Sequence, residues 1–317
     1  MLVADESTYE MLHSLHVEWP CLSFDVLRDG LGSRTKFPLS AYLVAGSQAP
    51  NSSDNKLYVL KMSNMYKTLA VDSEDEPENA DDDQDLDEDP ILEHRTVPHM
   101  GGVNRVRVMP HQESHIVASW SDLGKVHIWD LTMLVRSIDV PGLVVPSKDL
   151  KPLHTIKSHG NYEGYAMDWS SRQAGRLLTG GTDNKIFLTS RTPSSSFVTE
   201  ETPFVGHTSS VEDLQWSPSE NNVFASCSAD GTVRIWDVRV KKSQIGIRAS
   251  DTDVNVISWN RYVFSSVSLS LFFLPFLSSI LFHLPSLPFT FVTRPLLLFT
   301  RRLRTPLFDL LPPFSLP

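Results

Sequence analysis

The sequence contains very few cysteines, with Cys21 and Cys227 the only two among its 317 residues. Two thiols cannot build the disulfide framework of a small secreted domain, and they cannot provide the four ligands of an all-cysteine zinc site. The opening residues, MLVADESTYEML, have neither the basic nor the apolar region of a secretory signal. We therefore expect the protein in a reducing, intracellular compartment.

The sequence also lacks the short motifs that accompany common enzyme chemistries. It contains no GxxxxGK[ST] phosphate-binding loop, no GxGxxG turn, no HExxH zinc helix and no CxxC pair. We therefore predict no catalytic residues, no cofactor and no metal site. An enzyme is the weakest of the functional alternatives.

Positive charge is absent from one long segment. Between Asp72 and Glu93 the sequence has 13 acidic residues and no Lys or Arg, whereas the rest of the chain has 25 acidic and 28 basic residues. The net charge of −10 therefore belongs to this segment. Because the remainder offers no strongly basic surface that could capture phosphates, we predict no direct binding to nucleic acid. A basic protein is the partner that this charge distribution favours.

The segment Pro203–Arg239 has the pattern of a repeat built from short strands. VEDLQW, VFASCS and TVRIWD alternate in polarity, and the segments SPSEN and ADG between them are turn signals. His207 precedes these strands, and Trp236 lies in the third of them, 29 residues later. Together with the strand that follows, the three segments predict a four-stranded antiparallel blade.

Similar spacings recur across residues 94–261. His99 and Trp129 lie 30 residues apart and enclose NRVRV, HIVASWS and the start of KVHIWD. His159 and Leu188 lie 29 residues apart and enclose YAMDWS and RLLTGG, so Leu188 stands where the other units have Trp. VNVISWN begins a further unit 43 residues after VEDLQW. This periodicity is typical of proteins in which each repeat forms one blade.

Histidine, serine, aspartate and tryptophan within one repeat invite comparison with a catalytic triad. The same kinds of residue recur from unit to unit, however, which a single active site would not require. The pattern resembles a WD repeat, in which a buried histidine, a strand serine or threonine, a turn aspartate and an indole N–H form a chain of hydrogen bonds. The resemblance implies a structural chain through His207, Ser226, Asp230 and Trp236, with Ser228 as the alternative hydroxyl. Such a chain stabilises a blade because each buried polar group finds a partner.

The segment STYEML near the N-terminus has the pattern of a capping box followed by apolar residues at helical spacing. We predict a short amphipathic helix within residues 1–20, with Tyr9, Leu12 and Leu15 near one face. Residues 21–70 contain CLSFDVL, PLSAYLVAGS and KLYVLKMSNM, which we assign to the strands of the first blade.

The order of these segments closely resembles the glutamate-rich WD-repeat proteins, which are related to the retinoblastoma-binding, histone-binding WD40 proteins. The resemblance covers residues 2–261 and rests on YEMLHSLHVEWPCLSFDVLRDGLG, PLSAYLVAGSQA, the acidic tract, VPHMGGVNRVRV, GRLLTGGTDNKI and PFVGHTSSVEDLQWSPSENNVFASCSAD. It implies an all-β WD40 β-propeller, seven-bladed in the family, with a short N-terminal α-helix packed on its side. Members of the family carry further repeats where this chain has a tail rich in Phe, Leu and Pro.

The resemblance also implies a nuclear and nucleolar protein that acts in ribosome assembly and chromatin, with core histones and a large-subunit ribosomal protein as partners. Histone contacts in the related proteins use the N-terminal helix, which gives Tyr9, Leu12 and Leu15 as candidate partner-binding residues. We interpret the protein as a non-catalytic scaffold or chaperone for basic clients. A substrate receptor of a cullin-type ubiquitin ligase is the alternative, because IWDVR, ending in Arg239, resembles the box that docks some WD proteins on a ligase adaptor.

Self-repulsion and a shortage of apolar residues predict that residues 71–93 form a disordered insertion. We expect it to lie between two blades and to attract Lys- and Arg-rich clients. The carboxylates expected to contact such clients are Asp81, Asp82, Asp83, Asp85, Asp87, Glu88 and Asp89. A solvated linker that only keeps the protein soluble is the alternative.

Residues 262–317 differ in composition from everything before them. Leu, Phe, Ser and Pro make up 41 of these 56 residues, and all four can be encoded by pyrimidines alone. We expect a translated intron, because Arg261 to Phe264 can be encoded by a sequence that contains an exon–intron junction. The alternative is a membrane-spanning helix, since Tyr262 to Thr293 carries no formal charge. Prolines interrupt that stretch, so we predict no membrane contact. We expect the tail to be irregular or a poorly packed hydrophobic appendage, and not a blade.

Overall fold

Four antiparallel sheets follow one another along the chain in the computed structural model, which describes residues 11–28, 36–67, 89–111, 115–146, 150–259, 266–272 and 277–283. Each of these sheets has four strands, and strands consecutive in sequence lie side by side. The arrangement confirms the all-β, blade-like architecture that the sequence predicts for a WD40 β-propeller.

The strands of the four sheets have the following bounds. The first sheet contains β1 (Cys21–Leu27), β2 (Leu39–Ser47), β3 (Lys56–Met65) and β4 (Ile91–Pro98). The second contains β5 (Val103–Val108), β6 (Ile116–Ser121), β7 (Val126–Asp130) and β8 (His154–Ile156). The third contains β9 (Gly164–Trp169), β10 (Arg176–Gly181), β11 (Ile186–Arg191) and β12 (Phe197–Thr199). The fourth contains β13 (Val211–Trp216), β14 (Val223–Ser228), β15 (Thr232–Asp237) and β16 (Ser243–Arg248).

The first strands of the four sheets, β1, β5, β9 and β13, pack beside one another, and we call them the inner strands. Apolar side chains fill the space between neighbouring sheets. Between the second and third sheets these include Trp120, Val126, Ile128, Met167 and Trp169. Between the third and fourth sheets they include Leu178, Leu188, Val211, Leu214 and Phe224. Because alternate residues of a strand face opposite sides of its sheet, one sheet contributes to the clusters on both of its sides.

The acidic insertion connects two strands of the same sheet. Residues of β3 pair with β4 from Lys56 opposite Pro98 to Ser63 opposite Ile91. The expectation that the insertion lies between two blades is therefore wrong, and the strand after it begins before residue 93. The reason is that ILEHRTVP, directly after the acidic residues, completes the sheet that β3 belongs to. Residues 68–88 lie outside the described part of the chain.

Residues 11–20 form no helix. Their side chains alternate between partly buried and exposed, and the partly buried ones are Met11, His13, Leu15, Val17 and Trp19. The His13 Nε2 atom donates a hydrogen bond of 2.9 Å to the Tyr66 carbonyl oxygen, which holds the segment beside the end of β3. The helical prediction is wrong for this described part because a period of two, not 3.6, places the apolar residues on the protein. Tyr9 lies outside the described residues.

A helix that the sequence analysis did not predict, α1 (Thr132–Asp139), lies between β7 and β8. Its buried apolar side chains are Leu134, Val135 and Ile138. At its end the Asp139 carboxylate accepts hydrogen bonds from the Tyr42 hydroxyl at 2.5 Å and from the Lys61 ammonium group at 2.9 Å. These contacts attach the helix to the first sheet.

The described part of the C-terminal tail contains two regular strands, β17 (Ser266–Phe272) and β18 (Leu277–His283). They pair antiparallel, with Ser266 opposite His283, as a separate two-stranded sheet. These residues are therefore not irregular, but they form a separate pair of strands and not a four-stranded blade. Its alternating serines and apolar residues fit a strand, a local pattern that the overall composition concealed. No helix formed by the described residues is long and apolar enough to cross a membrane.

Candidate client-binding surfaces

The polar residues predicted for the fourth sheet lie in one chain of hydrogen bonds. His207 Nδ1 bonds to the Asp230 carboxylate at 2.9 Å, and His207 Nε2 bonds to the Ser226 hydroxyl at 2.6 Å. The Trp236 indole N–H donates to the same hydroxyl at 2.8 Å. The imidazole and the indole are 4% and 0% exposed, so the arrangement offers no room for a substrate. Ser228, the alternative hydroxyl, donates instead to the Ser209 carbonyl oxygen.

The protonation states in this chain follow from its surroundings. Burial lowers the pKa of His207, against the opposing effect of the Asp230 carboxylate, so the imidazole is neutral near pH 7. Although burial opposes it, hydrogen bonds from Thr232, Thr208 and His207 hold the pKa of Asp230 well below its usual value. A neutral imidazole with its proton on Nδ1 can donate to Asp230 and accept from Ser226. Each polar group then has a partner.

Related chains occur in the second and third sheets. In the second sheet the Ser119 hydroxyl bonds to His99 at 3.1 Å and accepts the Trp129 indole N–H at 2.9 Å. In the third sheet His159 bonds to the Thr179 hydroxyl and to the Asp183 carboxylate, both at 3.0 Å. Three occurrences at equivalent positions fit a repeated structural device better than a single catalytic centre.

Thr189 pairs with Leu177 as Trp236 pairs with Phe224, so the assignment of Leu188 to the tryptophan position is wrong. The reason is that His159 and Thr179 lie 20 residues apart, one more than His207 and Ser226.

Neighbouring inner strands are joined by a second set of hydrogen bonds, which we call the junction contacts. A polar side chain of one inner strand accepts the backbone N–H of a residue near the end of the next inner strand. For β13 the donor lies in residues 254–259, which form no strand but lie beside β13. The pairs are Asp25 with Val108 (2.8 Å), Asp168 with Trp216 (2.7 Å) and Gln215 with Trp259 (2.6 Å). Indole N–H groups add bonds to backbone carbonyls in the pairs Trp169 with Arg107, Trp216 with Asp168 and Trp259 with Gln215. These residues were not predicted from the sequence, although polar residues alternate with apolar ones in each inner strand.

Acidic side chains gather where the inner strands begin, at a surface that we call the acidic end. It includes Asp122, Glu163 and Glu212, which surround the phenol of Tyr165. Burial and the negative charges of Glu163, Glu212 and Asp122 raise the pKa of Tyr165. The Asn104 side-chain amide also donates to Glu163, at 3.1 Å. The electrostatic potential at this end therefore favours a cationic ligand.

Large apolar side chains are exposed beside the acidic end. Met100, Leu123 and Tyr162 are 59%, 41% and 60% exposed. The loops that carry Leu123 and Tyr162 touch, because a Cβ atom placed on Gly124 would lie 2.8 Å from the Tyr162 nitrogen. A segment with both basic and apolar residues matches this combination of charge and exposed apolar surface.

A cavity of about 450 Å³ lies at the opposite end of the inner strands. Arg28, Arg107, Asp25 and Asp168 are among its lining residues. Both carboxylates accept backbone N–H groups in the junction contacts, so they serve to join sheets and do not form a free acid–base pair. No group of three or more His, Cys, Asp and Glu side chains among the described residues could hold a metal ion.

The predicted partner-binding residues lie far apart from one another. Leu12 is 40% exposed, and Leu15 is partly buried along the first sheet. Asp89 is exposed just before β4, while the other predicted acidic contacts, residues 81–88, lie outside the described residues. The Arg239 side chain is 71% exposed and bonds to the Asp237 carboxylate at 2.5 Å. The structure therefore does not bring these candidates together into one site.

Two families match parts of the chain. A family described as "Histone-binding protein RBBP4", whose description also names the CAF1 complex, matches residues 1–66. The family described as "WD domain, G-beta repeat" matches residues 198–237, which include most of the fourth sheet.

Curated relatives match most of the chain. "Ribosome assembly protein rrb1" of Schizosaccharomyces pombe is 48% identical over 265 residues, which cover 81% of this chain and 54% of the relative. "Glutamate-rich WD repeat-containing protein 1" of Dictyostelium discoideum is 48% identical over 254 residues, covering 77% of this chain and 52% of the relative. "Protein HEAT STRESS TOLERANT DWD 1" of Arabidopsis thaliana is 45% identical over 263 residues, covering 76% of this chain and 55% of the relative. The chain thus spans about half the length of the curated relatives it matches.

Proposed function

We propose that this chain, which belongs to the WD-repeat family that includes the glutamate-rich WD-repeat proteins, is a non-catalytic scaffold for basic proteins in ribosome assembly. A relative named for ribosome assembly and a histone-binding family match support this role. The proposed clients are core histones and a large-subunit ribosomal protein, encountered in the nucleus and nucleolus. All of these clients are rich in Lys and Arg.

The observation that carries the proposal is the acidic end. Asp122 is exposed, and Glu163 and Glu212 are partly exposed, so their charges are accessible to a ligand. Exposed apolar side chains at Met100, Leu123 and Tyr162 lie in the adjoining loops. Charge complementarity speeds encounter with a basic client, and apolar contacts then add affinity that salt does not screen.

The acidic insertion adds to the same attraction. Its 13 acidic residues without a compensating Lys or Arg make it the most negative part of the sequence. The field of these charges extends over roughly one Debye length, about 8 Å at physiological salt. We therefore assign the insertion a sequence-tolerant, salt-sensitive role in capturing clients, and the acidic end a more specific one.

Neutralising the acidic end tests the proposal. We expect the Asp122→Asn, Glu212→Gln double variant to bind purified core histones about three- to tenfold more weakly, because an exposed ion pair contributes up to about 1 kcal/mol. The matched control is Asp251→Asn with Glu220→Gln, which also removes one aspartate and one glutamate carboxylate, at exposed positions outside the group that surrounds Tyr165. Equal affinities for the two double variants across a salt series would contradict the role of the acidic end.

Deleting residues 73–90 tests the contribution of the insertion. We expect weaker binding to histones and to the ribosomal protein, together with a shallower dependence of affinity on salt concentration. The control replaces the same residues by an uncharged Ser/Asn/Gln segment of equal length, which keeps the linker and removes the charge. If both variants bind as the unaltered protein does, the insertion is only a solvated linker.

The second candidate function is that of a substrate receptor for a cullin-type ubiquitin ligase. The Arg239 side chain after Trp236-Asp237 favours it, because this side chain is 71% exposed to an adaptor even though its guanidinium group pairs with Asp237. We expect Arg239→Ala to abolish adaptor binding while histone binding stays unchanged. Arg248→Ala is the control, since its side chain is also largely exposed and pairs with a nearby aspartate. Adaptor binding that survives Arg239→Ala would remove this candidate.

A further inference from the structure

Three arginines of the third sheet lie at the end of the strands opposite the acidic end. Arg172 is in the turn that follows β9, and Arg176 begins β10. Arg191 ends β11, and its backbone N–H donates to the Gly175 carbonyl oxygen of the same turn at 2.9 Å. The side chains of Arg172 and Arg191 are exposed, and that of Arg176 is partly exposed. We call these three side chains the arginine surface.

Uncharged groups accept the hydrogen bonds of these arginines. The Arg172 Nε–H donates to the Asn221 side-chain oxygen at 3.0 Å. Arg176 donates to the Asn222 side-chain oxygen at 3.3 Å, and its guanidinium group lies over the indole of Trp216. Among the described residues none of the three arginines forms an ion pair. Their positive charges are therefore available to an anionic ligand.

The carboxylates near this surface do not cancel its charge. Asp237 is paired with Arg239, and Glu200 is paired with Lys241. Glu220 is exposed in the turn that precedes Asn221. Three guanidinium groups beside one exposed carboxylate leave a positive potential at this end of the molecule.

Hydroxyl groups surround the arginine surface and hold its turns in place. The Ser170 hydroxyl accepts the backbone N–H groups of Arg172 and Gln173, at 3.3 and 3.1 Å. The turn that follows Arg191 adds the exposed side chains of Ser194 and Ser196. A ligand would therefore meet uncharged donors and acceptors next to the guanidinium groups, on turns whose backbone is already fixed.

We propose that the arginine surface binds the sugar–phosphate backbone of RNA. The planar guanidinium group matches the oxygens of a phosphate, and hydroxyl and amide side chains are the other groups that commonly contact phosphates and sugars. Phosphates follow one another at short, regular intervals, so one strand can contact Arg172 and Arg191 together, which favours RNA over an acidic protein. RNA is favoured over DNA because serine hydroxyls can both donate to and accept from a 2′-OH group.

This surface was concealed in the overall composition. Outside the acidic segment the chain has 25 acidic and 28 basic residues, from which we predicted no direct binding to nucleic acid. A summed charge does not show where the charges lie, and the fold collects carboxylates at one end of the inner strands and arginines at the other. Because the arginine surface is opposite the acidic end, RNA binding there is independent of the proposed function.

Fluorescence anisotropy with a labelled single-stranded oligouridine tests the proposal on the full chain. We expect Arg172→Gln combined with Arg191→Gln to bind about five- to twentyfold more weakly than the unaltered protein. The slope of log affinity against log salt concentration should also become shallower by about 1.4, since each phosphate contact contributes about 0.7. Urea midpoints that match the unaltered protein show that the variants are folded.

The matched control is Lys185→Gln combined with Arg248→Gln. It also removes two positive charges from exposed positions, between β10 and β11 and at the end of β16, which lie at the opposite end of the sheets. We expect this control to bind the oligouridine as the unaltered protein does. Equal affinities of the two double variants would overturn the proposal, and so would the absence of binding by the unaltered protein.

Glu220→Gln tests the position of the RNA in the opposite direction. Removing this carboxylate should strengthen oligouridine binding about two- to threefold, because it lies beside the arginine surface. The control is Glu201→Gln, which removes an exposed carboxylate from the connection between β12 and β13. If Glu220→Gln binds no more tightly than Glu201→Gln, the RNA does not lie on this surface.

Competition experiments identify the class of ligand. Polyglutamate, at the same concentration of negative charge, should displace the labelled oligouridine less well than unlabelled oligouridine does. Equal displacement would point to an acidic protein and overturn the assignment to RNA. Equal affinity for the 2′-deoxy oligomer of the same sequence would overturn it as well, because the sugar hydroxyl would then make no contact.

Discussion

The fourth and third sheets use different side chains at the same place. In the fourth sheet the Ser226 hydroxyl bonds to both His207 and Trp236, at 2.6 and 2.8 Å. In the third sheet the Thr179 hydroxyl bonds to His159 at 3.0 Å, and the buried Thr189 takes the position of the tryptophan. The third sheet forms the same four-stranded meander nevertheless.

This difference shows which residue of the hydrogen-bond chain can be substituted while the four-stranded sheet is kept. The Thr189 hydroxyl bonds to the Thr199 hydroxyl at 2.9 Å, so the third sheet loses the bond to the shared hydroxyl without leaving a buried donor unpaired. The Ser226 hydroxyl, by contrast, is shared by two buried groups. Removing a shared partner is more costly than replacing a donor by a side chain that finds another partner.

The largest expected effect is that of Ser226→Ala. The substitution leaves His207 Nε2 and the Trp236 indole N–H without their partner in a buried site. Each such group costs about 1–3 kcal/mol, and we expect the free energy of unfolding in urea to fall by about 2–4 kcal/mol. A decrease below about 1 kcal/mol would contradict the shared role of this hydroxyl.

A smaller effect is expected of Thr179→Val in the third sheet. This substitution keeps the shape of the side chain and leaves one group, His159 Nε2, without its bond. We expect the free energy of unfolding to fall by about 1–2 kcal/mol. Measured in the same urea titration, a loss as large as that of Ser226→Ala would remove the distinction between the two sheets.

The smallest expected effect is a change in pH dependence through the fourth sheet. Because the pKa of His207 is lowered on folding, the unfolded state binds more protons, and its contribution to stability is present above about pH 6.5 and decreases below it. The lowered pKa of Asp230 acts in the same direction, with loss beginning below about pH 4. The slope per group is at most about 1.4 kcal/mol per pH unit.

His207→Gln provides the measurement, since an amide can hydrogen-bond but does not titrate. We expect the urea midpoint of this variant to change less than that of the unaltered protein between about pH 7 and about pH 5, where an ordinary histidine titrates. Parallel pH profiles of the two proteins would contradict this prediction, because they would show that folding does not change the pKa of His207.

The strands inside one repeat could be predicted from the sequence. The segments VEDLQW, VFASCS and TVRIWD coincide with β13, β14 and β15. Their alternation, and the turns between them, depend on residues close together in the chain. The hydrogen-bonded group of His207, Ser226, Asp230 and Trp236 could be predicted for the same reason, because all four lie within one repeat.

Local patterns failed where two periods were present at once. Residues 11–19 carry apolar side chains at helical spacing and also at every second position, and contact with the first sheet selected the extended form. The α1 helix, with buried Leu134, Val135 and Ile138, interrupts a repeat that otherwise reads as strands. Its apolar residues at helical spacing were the available signal.

The sequence by itself determined most of the strands, the repeat and the polar chain of the fourth sheet, because these depend on spacing over about thirty residues. Only the tertiary structure decided which residues meet between blades. Asp25, Asp168 and Gln215 accept bonds from the next inner strand, and that partner is fixed by how the sheets pack. The acidic end is also tertiary in origin: Glu163 and Glu212 belong to separate repeats, and adjacent inner strands place them around the same phenol.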